Sequence, residues 1–399
     1  KARPPSTCVS ELLDTLGASH VVEGEPAPRD LESAQEQVRA RLVTSHAIQP
    51  FNAAYFQESD PRRFSYAHQW CGGAQALLGQ RQEPPALLAE ALPAVADDEL
   101  AVIDLARLEA FLTGAARGLL RDRVGLRLAD DLLVLGDREP FEVDALTRWS
   151  VGDRLLELAL DGVDPADGWD ELKARGVLPL GTPGRMAFDA VVPGVRELAA
   201  VAGPLRAGER VEPATVDVAC GPTRLVGAVE HLWPAGRVVA GYSRLGANKR
   251  LSAWVQHLAL RCAEGEPGAP LPERSYAVGR AQRGDEVAVR SFGDVADPAA
   301  RLGDLVDLWR AGQAERLPLL CDAGMAYAEA RRDGAEVDEA MAKARTAFDR
   351  SYRDGDDWFA RAWAGADPFD GPDEDTDPMG FAGLSMRVFG PLLDHEEVP

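Results

Sequence analysis

Three residues in the middle of the chain, Asp217, Glu230 and Lys249, are of the types that hydrolyse a phosphodiester with a hard divalent cation. That chemistry needs carboxylates to hold Mg²⁺ and a lysine to help activate water or offset developing charge. The usual layout puts one acid at the end of a strand. A second acid and the lysine follow two residues apart on the next strand, so that both project from one face. Residues 227–243 have this spacing with other occupants. Gly227-Ala228-Val229-Glu230 keeps a carboxylate, but Ala240-Gly241-Tyr242-Ser243 has Gly241 in the second acid's position and Ser243 in the lysine's. A preceding helix that could add a histidine reads Gly184-Arg185-Met186-Ala187-Phe188. A single carboxylate binds Mg²⁺ weakly, so we expect no catalysis, with Phe188, Glu230, Gly241 and Ser243 as degenerate positions. The alternative is an active nuclease with a rearranged site made of Asp217, Glu230 and Lys249.

Other residues could touch nucleic acid without cutting it. Arg224, Arg237, Arg244, Lys249 and Arg250 gather around the same strands. We take Arg224, Arg244, Lys249 and Arg250 as the candidate phosphate contacts, which would position a strand and not read its sequence. Arg117, Arg121 and Arg123 are basic too, though a solvated helix face is the simpler expectation. Tyr55, Phe56, Phe64, Tyr66 and Trp70 could stack bases, but aromatics in an irregular stretch more often pack against protein. The six histidines show no ligand spacing, and His257 is expected to be structural. Five scattered cysteines without a CxxC pair argue against a disulfide framework or a zinc site and fit a reducing cytoplasm. No GxxxxGK[ST] motif is present.

The elements that must position these residues follow from pattern. Hydrophobic residues make up 46% of 399, enough for a sizeable core. No apolar run reaches the roughly 20 residues of a membrane span. The chain begins at Lys1, which suggests a piece of something longer. Its net charge of −22 disfavours free-standing duplex binding. Screening over about 8 Å still lets a local basic stripe meet phosphate. Residues 1–24 read as a helix followed by a strand edge, 27–40 as a polar helix, and 80–98 as a Pro-punctuated linker. Leu105, Leu108, Phe111, Leu112, Ala115 and Leu119 predict one amphipathic helix, and helices follow at 149–160, 170–175 and 184–200. Residues 214–220, 224–233 and 236–244 predict three consecutive strands in a meander. A helix at 248–262, a strand near 286–292 and a mainly helical remainder complete an α/β (α+β) pattern.

That order of parts matches a restriction-endonuclease-like core with added helices. Collinear segments extend the likeness: PSTCVSELLDTLGASH (5–20), PRRFSYAHQW (61–70), LEAFLTGAARGLLRDRVGLRL (108–128), DREPFEVDALTRW (137–149), VDVACGPTRLVGAVEHL (216–232) and LVDLWRAGQAERLPL (305–319). On these, the chain resembles the C-terminal part of the RecC family, a subunit of bacterial RecBCD (exonuclease V) complexes. The resemblance implies a nuclease-like fold without activity over residues 96–399. It also implies the close of an inactive helicase-like domain, plus linker, over residues 1–95. It further implies RecB and RecD as partners, contact with duplex ends and separated strands, and a role in double-strand break repair by homologous recombination. Mg²⁺ and ATP would be used by the partner subunits and not by this chain.

Overall fold

In the computed structural model, residues 5–58, 60–80, 87–88, 92–128, 142–265, 270–352, 356–364, 366–371 and 374–399 are described. They divide into two compact units, residues 1–85 and 86–399. Much of the stretch expected as a linker, and residues 137–141 of one collinear segment, lie outside the described residues.

Residues 1–85 hold α1 (Thr7–Ser19), α2 (Leu31–Leu42) and α3 (Cys71–Leu78), joined by irregular chain with two short 3₁₀ turns. A reciprocal cap starts α2: the Asp30 carboxylate accepts the Ser33 N–H at 2.8 Å, and the Ser33 hydroxyl accepts the Asp30 N–H at 3.1 Å. α1 crosses α2 at Gly17, where a β-carbon would stand 2.6 Å from the Gln35 Cα. The strand edge expected after α1 is absent; residues 20–25 are turn and coil.

Residues 86–399 open with β1 (Val102–Asp104) and α4 (Leu105–Thr113), whose first turn is capped by the Asp104 carboxylate on the Ala106 N–H at 2.8 Å. The single helix predicted across 105–119 is two, because Gly114 leaves helical geometry and α5 (Ala115–Asp122) restarts beyond it. Next come α6 (Ala145–Leu160), α7 (Trp169–Ala174) and α8 (Thr182–Leu205), then β2 (Ala214–Cys220), β3 (Thr223–Val229), β4 (Leu232–Trp233) and β5 (Gly236–Arg244). α9 (Ala247–Cys262), β6 (Ser275–Arg280) and β7 (Val287–Phe292) follow. α10 (Pro298–Ala311), α11 (Cys321–Arg332), α12 (Val337–Tyr352), α13 (Asp357–Ala362), α14 (Phe381–His395) and β8 (Glu396–Glu397) end the chain.

The predicted meander does not form one sheet. β2 and β3 pair antiparallel, and β3 pairs parallel with β1, giving the order β1-β3-β2. β4 and β5 belong to a second sheet, ordered β4-β5-β6-β7-β8. The chain changes sheets at Glu230-His231, where His231 takes a left-handed φ of 62° and ends the ladder. α9 carries the chain from β5 to its parallel neighbour β6, as a parallel pair requires.

α9 lies at the centre of the largest core. Its Leu251, Trp254, Val255 and Leu258 are fully buried and pack with β2, β3 and α10. A second core lies between α6, α8 and the opposite face of β5 and β6, joining Val151, Leu155, Phe188 and Val195 to Tyr242 and Val278. The second sheet is thus covered by helices on both faces, a mixed α/β architecture. Among the described residues no helix is long and apolar enough to cross a membrane.

Candidate functional site

Strand alternation puts Arg237, Val239, Gly241 and Ser243 on the α9 side of β5. They line a cavity of about 270 Å³. Lys249 and Ser252 of α9, Ala277 and Gly279 of β6, Glu109 of α4, and Trp149 and Asp153 of α6 complete its walls. Gly241 and Ser243, read from spacing as neighbours on one face, are brought together here. Glu230 and Phe188 do not line this cavity. Glu230 is exposed just past β3. Phe188 is buried in the α6–α8 core, edge-on to Trp169 at 5.3 Å.

Asp153 enters the site through a close helix–strand approach. Gly152 lies against the Tyr242 ring, and a β-carbon there would come within 2.1 Å of it. The register of β5 on β6 shifts between Ala240 and Arg244, and the Tyr242 N–H donates to Asp153 Oδ1 at 3.0 Å. A β-carbon at Gly241 would stand 3.6 Å from the same oxygen and 3.5 Å from Ser243 Oγ, so a side chain would fit there. An aspartate at 241 would therefore face Asp153, and the glycine leaves that partner out.

Arg237 is the unusual group. It is only 8% exposed, and among the described residues its Nε finds no hydrogen-bond partner. Burial pushes its pKa down to about 10, and the nearby Glu109 partly opposes that shift. At neutral pH the guanidinium therefore stays charged. Glu109 is itself engaged, accepting from Gln256 Nε2 at 2.8 Å. Lys249, at the start of α9, is exposed and forms no ion pair among the described residues.

The other candidate contacts are committed elsewhere. Arg224 forms a two-pronged ion pair with Asp217 on β2, which holds that carboxyl below its ordinary range. Arg244 Nη1 donates to the carbonyls of Ala281 at 2.7 Å and Gln282 at 2.8 Å, bracing the β6–β7 turn. Arg250 is half-buried and engaged by Glu329 at 2.7 Å and Glu396 at 2.8 Å. Of Asp217, Glu230 and Lys249, only Lys249 reaches the cavity. Arg123 donates to Gln313 O at 2.9 Å and Pro93 O at 2.8 Å. His257 is buried: its Nε2–H donates to Gly293 O at 2.7 Å, which leaves Nδ1 to accept from the Ser275 hydroxyl at 2.9 Å.

In residues 1–85 the aromatics pair among themselves: His46 with Tyr55 at 5.9 Å, Phe64 with Tyr66 at 5.4 Å, and Phe51 with Trp70 at 6.1 Å. Sequence reasoning missed Glu109 and Asp153. Both sit on helices whose apolar faces explain those helices without them. The one available signal was Gly152 beside Asp153, a mark of close packing.

The region thus defines a mixed α/β domain in which Gly241 and Ser243 of β5 open onto a cavity beside a buried arginine with no hydrogen-bond partner among the described residues. Residues 100–332 match the RecC C-terminal domain, and the chain belongs to that family. It is 30% identical over 410 residues to the RecBCD enzyme subunit RecC of Mycobacterium tuberculosis, an alignment covering 99% of this chain and 35% of that protein. The RecC of Escherichia coli K12 is 25% identical over 382 residues, covering 90% and 32%. The chain spans about a third of the length of these relatives.

Proposed function

We propose that this chain is a non-catalytic scaffold and strand-routing part of a RecC subunit, acting in a RecBCD-type complex in double-strand break repair. Residues 96–399 would form a restriction-endonuclease-like core that has lost its cutting residues. Residues 1–95 would close an inactive helicase-like domain. RecB and RecD would be the partners and would use the Mg²⁺ and ATP. The observation that carries this reading is the pair Gly241 and Ser243: both open onto one cavity at the spacing of an acid and a lysine, and neither supplies those groups. A core kept with those positions emptied is useful for its shape and its contacts.

The test is incubation of the chain with linear single- and double-stranded DNA and Mg²⁺ or Mn²⁺. We expect no cleavage. Cleavage abolished by Glu230→Ala or by Asp153→Asn would overturn the reading and favour an active nuclease with displaced ligands. Salt-sensitive affinity for a forked duplex in complex with RecB is the positive expectation; its absence would leave a protein-interaction module that never touches DNA.

A further inference from the structure

The acids and bases around the cavity differ in what they lack. Each acid already has a donor: Tyr242 N–H for Asp153 and the Gln256 amide for Glu109. Neither base has a hydrogen-bond acceptor among the described residues, although the Glu109 charge lies near Arg237 and offsets part of its burial. The Arg237 guanidinium is more than nine-tenths buried, makes no hydrogen bond or ion pair among the described residues, and lines the cavity. Lys249 faces the same space from α9. Taking a guanidinium out of water without an acceptor is costly, because its lost hydration is not replaced. The unmet requirement is therefore for a negatively charged acceptor. Glu109 and Asp153 would oppose a phosphate as Arg237 and Lys249 would oppose a divalent cation, so charge alone does not choose. The choice falls to the anion because the carboxylates have donors and the guanidinium has no acceptor among the described residues. The guanidinium fork matches phosphate oxygens, an ammonium adds a second positive charge, and the Ser243 and Ser252 hydroxyls can donate to the remaining lone pairs.

We infer that the cavity between β5 and α9 is a phosphate-binding site, in which Arg237 and Lys249 hold a phosphate group supplied either by free phosphate or by a nucleic-acid backbone. The position is where a nuclease of this layout would hold the scissile group, so the site keeps the grip on phosphate and not the means to cut. The inference does not depend on strand routing. Free phosphate would satisfy it even if the forked-duplex test failed, and loss of phosphate binding would leave that test standing.

The experiment is a thermal-shift titration of the 399-residue chain in phosphate-free buffer at fixed ionic strength, with sodium phosphate, sodium acetate or MgCl₂, alongside ³¹P line broadening of inorganic phosphate. The expected result is saturable stabilisation by phosphate that exceeds the response to acetate. Arg237→Met should weaken phosphate binding by roughly thirtyfold or more, the scale for losing one partner of a buried charge pair. Because Arg237→Met removes an unpaired buried charge, its melting temperature without phosphate should equal or exceed that of the parent, which separates lost binding from lost folding. Lys249→Ala, an exposed change, gives a second variant with a smaller loss. A short thymidine oligonucleotide that displaces phosphate identifies a backbone as the source; phosphate binding without displacement identifies the free ion. The inference is overturned by no phosphate response, by an equal response in Arg237→Met, by an equal response to acetate, or by a Mg²⁺ response that requires Asp153.

Discussion

Helix α1 carries Val9, Leu12, Leu13 and Leu16 at helical spacing, yet Val9 and Leu12 are 46% and 57% exposed. Helix α9 carries Leu251, Trp254, Val255 and Leu258 at the same kind of spacing, and all four are fully buried. Among the described residues of 1–85, Val38 and Ala74 are the only buried apolar side chains, whereas residues 86–399 contain several interlocked cores. The same periodicity thus marks a helix in both units and a core in only one. The difference lies in what is available to cover the stripe. Among the described residues α1 packs mainly on α2, across Gly17, while α9 is enclosed by both sheets, α4, α10 and α11. Burial of apolar area is the main favourable term in folding, so the two units should differ in stability far more than in helix content.

The largest expected effect tests that contrast directly. Expressed separately, residues 86–399 should unfold in one cooperative thermal transition with a calorimetric heat appropriate to its size. Residues 1–85 should show helical circular dichroism at low temperature but no cooperative transition. A sharp melt from the smaller fragment would break the comparison.

A second expectation concerns a polar group that only a deep core can hold. Burial pushes the His257 pKa down to about 4 from an ordinary 6.5, and the nearby Arg237 charge adds to the shift. The folded state therefore holds the neutral ring, while the unfolded chain takes up a proton as pH falls through 6.5. The stabilisation is complete above 6.5 and is lost progressively down to about 4, by about 3 kcal/mol over the whole window. Urea midpoints measured at pH 7.5 and 4.5 should drop for the parent, and should drop clearly less for His257→Gln. Equal drops in both would mean that this histidine does not report the core.

These contrasts also show which parts of the fold the sequence could reveal. α9 was readable because a 3.6-residue period needs no knowledge of its neighbours. The face shared by Gly241 and Ser243 was readable because strand alternation is fixed at two. The division into two sheets was not, since the break at Glu230-His231 carries no glycine or proline to mark a turn and only the His231 backbone, at φ 62°, changes direction. β6 was missed because Ala277, Val278 and Gly279 lack alternation, as a strand covered on both faces does. The arginines were readable as charge but not as partners. Arg250 looked like Lys249 in the sequence, yet it is tied to Glu396, a residue 146 positions away. Asp153 reaches Tyr242 across 89 positions, a contact that no local spacing encodes.

The smallest expected effect comes from the surface of the weaker unit. Arg39 and Asp14 join α2 to α1 at 3.3 Å, with both side chains 53% exposed. In residues 86–399 the comparable cross-element pair, Arg250 with Glu396, has side chains 12% and 5% exposed. Exposed pairs gain little, because water screens the attraction and two long side chains lose freedom. Breaking a buried pair leaves an uncompensated charge. Arg39→Ala should therefore change stability by no more than about 0.5 kcal/mol, and raising salt should leave even that unmeasurable. The helical circular dichroism of residues 1–85 at low temperature, followed on adding urea at low and high salt, checks this. A loss several times larger would mean that α1 and α2 are held together by charge and not by the close approach at Gly17, and the contrast between the two units would then lie in the kind of force holding them and not in the amount of buried surface.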